Sequence, residues 1–123
     1  MRIIETPNMP KSNGHYSQCV EHNGILYLAG QLPRIPETRA IPEGIEAQTH
    51  QVLSNIEKIL TEAGSGKDKV LQVRVYVSDI KYWDTVNGIY ASFFGQYKPA
   101  RVVIPTRDLH HGALIEVEVT AFV

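Results

Sequence analysis

From Ile45 to Ala63 the residues that can pack inward recur at three- and four-residue spacing: Ile45, Thr49, Val52, Leu53, Ile56, Ile59, Leu60 and Ala63. On either side of that run the period falls to two. A period near 3.6 turns one stripe of a helix toward a core, and a period of two does the same for one face of a strand. A chain that switches between the two must combine helices with a sheet. The pattern starts after Pro42 and is stopped by "GSG" at residues 64–66, which predicts an amphipathic helix of about five turns.

Ahead of that helix, "YSQCV" and "GILYLAGQL" are short aromatic and β-branched runs separated by "EHNG". The Asn23-Gly24 pair is a strong hairpin signal. After the helix, "VLQVRVYVSDI" sets Val73, Val75 and Val77 on one face and Gln72, Arg74 and Tyr76 on the other, the pattern of an interior strand. "KYWDTVNGIYASFFGQY" returns to helical spacing. It strings Trp83, Val86, Tyr90, Phe93, Phe94 and Tyr97 along one stripe that is expected to be core rather than a ligand box. In "ALIEVEVTAFV", Ile115, Val117, Val119 and Ala121 oppose Leu114, Glu116, Glu118, Thr120 and Phe122. The predicted order is β-β-α-β-α-β-β, an α+β domain over residues 1–123 with two helices on one face of a mixed sheet. Its other face, with Tyr76, Leu114 and Phe122 among polar groups, is too mixed for open water and too polar for a dry core. A second subunit is expected to cover it.

A formal net charge of −1 gives no electrostatic case for nucleic acid as a partner. The one cysteine, Cys19, excludes an internal disulfide framework and makes no zinc site by itself, so a reducing cytoplasm is expected. No apolar run approaches the roughly 18 residues of a membrane span, and "MRIIETPNMPK" lacks the apolar core of a signal peptide.

Familiar catalytic patterns are missing: no phosphate loop, glycine fingerprint, HExxH, nucleophile elbow or paired-cysteine spacing. His110-His111 reads as a solvated turn before the last strand rather than a metal pair. "PRIPETRAIPEG", Pro33 to Gly44, is the one long loop, either a lid over a site or a crossover to the helix. One residue resists these readings. Arg101, in "KPARVVIP", carries a guanidinium into an apolar strand, which is costly unless an anion meets it. Glu116 is a candidate partner across the sheet, so a structural ion pair and a ligand anion both remain open.

"NGHYSQCV", "LYLAGQLP", "EAQTHQVLSNIEKILTEAG", "VRVYVSDIKYWDTVNGIYASFF", "KPAR" and "GALIEVEVTAF" occur in this order between about Gly14 and Val123. Together they resemble the signature blocks of the reactive-intermediate deaminase (Rid, or YjgF) family. The resemblance implies a chorismate-mutase-like fold, a homotrimer with a cleft at each subunit interface, and no metal or organic cofactor. It also implies an activity of the 2-iminobutanoate/2-iminopropanoate deaminase type. Such enzymes hydrolyse enamine and imine intermediates, 2-aminoacrylate and 2-iminopropionate among them, to 2-keto acids and ammonia. By the same resemblance Arg101 holds the substrate carboxylate, Glu116 positions the attacking water, Tyr16 closes the pocket and Asn87 matches a family asparagine. Ala29, Gly30 and Val103 then fall at substrate-binding positions.

The chain departs from the family pattern at four places. His15 stands in the usual Gly-Pro-Tyr, Ala29 replaces a frequent serine, and Val102-Val103 follow "PAR" where small polar residues or cysteine are common. Leu109-His110-His111 replaces Leu-Pro-Lys. These changes leave the substrate open. A non-catalytic trimeric module that senses a metabolite is a second reading. A ribonuclease-type, RNA-acting member is a third, and the near-neutral charge speaks against it.

Overall fold

The hairpin forms where Asn23-Gly24 predicts it. Their φ angles are 53° and 80°, the positive values that a two-residue turn of matching twist requires at both central positions. This turn joins β2 (Cys19–His22) to β3 (Ile25–Gln31), pairing His22 with Ile25. The computed structural model describes residues 1–9 and 13–123.

The remaining elements are β1 (Arg2–Ile4), α1 (Ile45–Glu62), β4 (Val70–Val77), α2 (Trp83–Phe94), β5 (Ala100–Pro105) and β6 (Ile115–Phe122). Six strands make one sheet in the order β1-β2-β3-β6-β4-β5. All neighbours run antiparallel except β4 and β5. Those two are joined through α2, the crossover that a parallel pair needs. The α+β architecture agrees with the predicted one, and β1 is an addition to it. Three residues with only Ile4 buried carry no readable period. Pairing with β2 makes them a strand.

One face of the sheet carries Val73, Val75, Val77, Ile115, Val117 and Val119, all buried. Against them pack Val52, Ile56, Ile59 and Leu60 of α1 and Val86, Tyr90 and Phe94 of α2. Each such side chain contributes about 1.5–3 kcal/mol by leaving water. The helix α1 stops for a local reason. Gly64 takes φ 84°, Ser65 donates its N–H to the Leu60 carbonyl at 2.8 Å and Gly64 donates to Thr61 at 3.1 Å, which closes the last turn around a left-handed glycine.

Two buried amides on α1 fasten what lies around it. Gln48 donates to the Pro42 carbonyl at 2.9 Å and accepts from the Leu114 N–H at 2.8 Å, tying the helix start to the approach to β6. Asn55 donates to the Arg34 carbonyl at 2.7 Å. Within the Pro33–Gly44 loop, Ile35 donates to Ala40 at 2.8 Å and Arg39 to Ile35 at 2.7 Å. The loop is therefore a tied crossover with its own turn. No helix among the described residues is long and apolar enough to cross a membrane.

Candidate functional site

The polar residues singled out by the sequence fall into two groups on opposite faces of the sheet. The first group surrounds a cavity of about 440 Å³ whose lining includes Tyr16, Ala29, Gly30 and Glu116. It is shaped by an irregularity in β3. Leu28 pairs with Val119 and Gln31 with Val117, so Ala29 and Gly30 together oppose one residue of β6. Such a bulge bends the strand and re-aims its neighbours. A Cβ at Gly30 would run into the Glu116 carboxylate and push it from its present position. Gly30 keeps the carboxylate in place by close approach, not by backbone angle.

Glu116 is half-buried in this setting, and its pKa is raised above the ordinary value. Burial is the main cause, Glu118 on the same face of β6 adds to it, and His110 acts in the opposite sense. A carboxyl group raised in this way holds a proton more readily than an exposed glutamate, which suits it to taking up and returning one. Tyr16 stands on the rim with 58% of its surface exposed. His110 and His111 occupy the turn before β6, exposed as expected, and they too line the cavity.

The second group is centred on Arg101. In β5 it pairs with Val73 and so points to the helix-covered side of the sheet. Its Nη1 donates to Asn87 Oδ1 at 2.8 Å. The guanidinium carbon lies 4.8 Å from the Tyr90 ring centroid and 5.6 Å from that of Trp83, within range for attraction to a ring face. Trp83, Asn87 and Tyr90 are spaced four and three apart on α2 and so share one face. Val103 follows two residues later on the same side of β5, packed against the core and away from the Glu116 cavity.

This arrangement corrects two expectations. Trp83 is not core: it is 37% exposed and flanks Arg101 at the sheet edge. The aromatic stripe is core only from Val86 onward, while Trp83, in the first turn of α2, lies beside Arg101 of the edge strand β5. Nor does Glu116 pair with Arg101. Strand β4 lies between their strands, and Glu116 sits opposite Tyr76 on the face away from the helices. Among the described residues no carboxylate lies within ion-pair distance of Arg101; the pairs present are Arg2–Glu21, Lys67–Glu57 and Arg74–Glu118.

Tyr90 and Trp83 are the members of this group that sequence reasoning missed. Aromatic spacing alone does not distinguish a ring facing the core from one facing a cation. Tyr90 is also unusual in its own right. Its hydroxyl is buried without a hydrogen-bond partner, and burial pushes its pKa up to about 12 against the opposing effect of Arg101.

Comparison with known proteins gives this geometry a lineage. A YyfA structure from Yersinia pestis, described as a protein of unknown function of the conserved Rid protein family, is 44% identical. It superposes with a TM-score of 0.95 over 99% of this chain and 98% of its own. Escherichia coli TdcF with bound serine is 28% identical, with a TM-score of 0.95 over 100% and 99% of the two chains. An Arabidopsis thaliana relative named Reactive Intermediate Deaminase A, chloroplastic, is 36% identical over 120 residues, 97% of this chain and 64% of that protein. The family model described as Endoribonuclease L-PSP matches residues 6–123. With nearly the whole length matched in sequence and in fold, the chain belongs to the Rid (YjgF) family.

Proposed function

We propose that the protein hydrolyses small 2-imino acids and their enamine tautomers to 2-keto acids and ammonia, at sites shared between two copies of the chain. The observation that carries this reading is the Arg101 guanidinium, held by Asn87 and two aromatic rings with no carboxylate in reach among the described residues. A planar fork placed in that way suits a ligand carboxylate, which it accepts through two parallel charge-assisted hydrogen bonds. The names of the Arabidopsis deaminase and of TdcF with bound serine are in keeping with an amino-acid-like ligand.

Glu116 supplies the second half of the chemistry. As a carboxylate it takes a proton from water while the water oxygen adds to the C=N carbon. As the resulting acid it returns that proton to nitrogen, giving the 2-amino-2-hydroxy acid; the same carboxylate then carries the hydroxyl proton to nitrogen, the C=O forms as the C–N bond breaks, and ammonia leaves. The raised pKa suits both steps. Because Glu116 and Arg101 lie on opposite faces of one sheet, the reading requires the Arg101 side of one copy to meet the Glu116 cavity of the next. The exposed apolar residues Tyr27, Val102, Ile104 and Phe122 would be covered in such an assembly. A closed ring of three copies is the proposed state.

The test is keto-acid release from imines generated in situ by a pyridoxal-phosphate dehydratase. Wild type accelerates release, and Arg101→Ala and Glu116→Gln each lose on the order of a hundredfold or more. Binding of keto acids without turnover by wild type would favour the sensing module instead.

A further inference from the structure

His110 and His111 line the cavity that holds Glu116, and the proposed hydrolysis gives them no part. Adjacent residues on a strand point to opposite faces, yet these two rings stack with centroids 3.7 Å apart. The backbone accounts for it. His111 takes φ 60° and Gly112 φ 71°, so the chain reverses in a tight turn over His110–Gly112 and brings both rings together. Side-chain-bearing residues enter that region of φ at a cost, and such strain collects at functional sites. The far end of the turn is tied twice. The Ala113 N–H donates to the His110 carbonyl at 3.2 Å, and the Leu114 N–H donates to the buried Gln48 side chain at 2.8 Å. The imidazoles therefore stand in the cavity wall on a fixed support.

Burial and Glu118 raise the Glu116 pKa while His110 opposes them, which puts His110 within electrostatic reach of the carboxylate. For His111, desolvation first and then His110 and Arg34 lower the pKa and favour the neutral ring, leaving His110 as the ring to carry a proton. The other titratable groups of the cavity are Tyr16 ahead of β2 and Arg34 and Arg39 in the Pro33–Gly44 loop. Histidine gives and takes protons between about pH 5 and 8, so the cavity holds two kinds of proton carrier, a carboxyl group and an imidazole pair. An enamine needs both. It offers water no C=N carbon until a proton reaches C3, and Glu116 enters the hydrolysis as a carboxylate with no proton to give.

We propose that His110 protonates the enamine at C3, so that the protein is an enamine–imine tautomerase as well as a deaminase. The inference rests on the deaminase reading and deepens it by naming the enamine as the species the site takes. The His110 imidazolium gives its proton to C3. The electron pair of the C2=C3 bond forms the new C–H bond, and the nitrogen lone pair becomes the second bond of C=N. The iminium then returns one N–H proton to the neutral imidazole. In sum one proton moves from nitrogen to C3, nothing is oxidised or reduced, and the imine passes to Glu116 for addition of water. Without a C3 donor an enamine reaches Glu116 as a substrate only as fast as it tautomerises in water. Enamines of this class leave enzymes that eliminate water from hydroxy amino acids, so a reaction of that kind must supply the substrate.

The test compares two routes to the same product, 2-oxobutanoate. Threonine with a pyridoxal-phosphate dehydratase supplies the enamine 2-aminocrotonate, and 2-aminobutanoate with D-amino-acid oxidase supplies 2-iminobutanoate directly. Lactate dehydrogenase traps the keto acid, and the enamine route is repeated in D2O so that NMR reads the configuration of the CHD carbon. His110 is exposed, so its replacement leaves the fold intact. Wild type consumes the enamine faster than it tautomerises in water and favours one C3 configuration beyond any bias of the dehydratase alone. His110→Gln lowers the ratio of enamine to imine turnover on the order of a hundredfold, the loss of a general acid, and the added bias disappears. If the enamine is consumed only at its rate in water, if the variant lowers both routes equally, or if the bias survives the variant, the inference falls and the deaminase reading stands. If the protein accelerates keto-acid release by neither route, the deaminase reading falls and C3 deuteration decides the tautomerase by itself. An added bias that is lost in His110→Gln upholds it; no added bias overturns it.

Discussion

The surroundings of Glu116 and of Arg101 are built on different principles. Around Glu116 the main chain does the shaping: a bulge at Ala29-Gly30 lets backbone approach the carboxylate so closely that a Cβ there would displace it. Around Arg101 side chains do it, with Asn87, Tyr90 and Trp83 on one face of α2 holding a flexible arginine. An atom added to that main chain moves the carboxylate itself. A site shaped by side chains can lose one contact and keep the others, so the two regions respond differently to substitution.

Mixing variants tests the contrast most severely. Arg101→Ala and Glu116→Gln are each expected to lose on the order of a hundredfold or more alone, yet co-refolding them is expected to restore roughly a quarter of wild-type deaminase activity by random assortment, if each site draws one residue from each copy. No recovery in mixed assemblies of confirmed stoichiometry would mean that the two residues do not share a site. The next largest effect belongs to Gly30→Ala. The Glu116 carboxylate can swing aside to admit the methyl, so thermal stability changes little, but displacement of the reacting group by an ångström lowers kcat on the order of a hundredfold.

Smaller effects are expected on the Arg101 side. Tyr90→Phe removes a buried hydroxyl with no partner and raises stability or leaves it unchanged, with activity retained, because the ring remains. Tyr90→Leu and Trp83→Ala loosen the guanidinium and raise KM several-fold with little change in kcat, in line with about 0.5–1 kcal/mol for an exposed cation–ring contact. Equal losses from Phe and Leu at residue 90 would show that the hydroxyl, not the ring, matters.

The smallest effect is on pH dependence. A raised Glu116 pKa means that the folded protein holds this proton to higher pH than the unfolded chain does. The associated stability is present below the unfolded value near 4.3 and is lost as pH rises through the folded one. Glu116→Gln therefore melts slightly higher than wild type at pH 8, and the difference vanishes below about pH 4. The acid limb of kcat sits above the ordinary glutamate range for the same reason. A limb at or below that range would place the catalytic proton on another group.

Much of this was readable in advance where the signal is local. The turn at Asn23-Gly24, the stop at Gly64 and the inward valines of β4 and β6 each depend on a few neighbouring residues. Arg101 stood out because a guanidinium in an apolar strand needs an explanation within the strand itself. Signals that depend on distant partners were not readable. Three residues became β1 only by pairing with β2, and the bulge at Ala29-Gly30 is defined by its register against β6. The role of Trp83 depends on where the sheet ends, which no helical period records.

The sequence by itself determined the kinds of element, the inward face of each and the two residues, Arg101 and Glu116, whose chemistry demands a reason, because side-chain periodicity and desolvation act over a few residues. Only the tertiary structure decided that β4 separates their strands and that the two side chains leave the sheet on opposite faces. Strand order is set by hydrogen bonds between segments far apart in the chain and by the crossover through α2, and no local pattern encodes either.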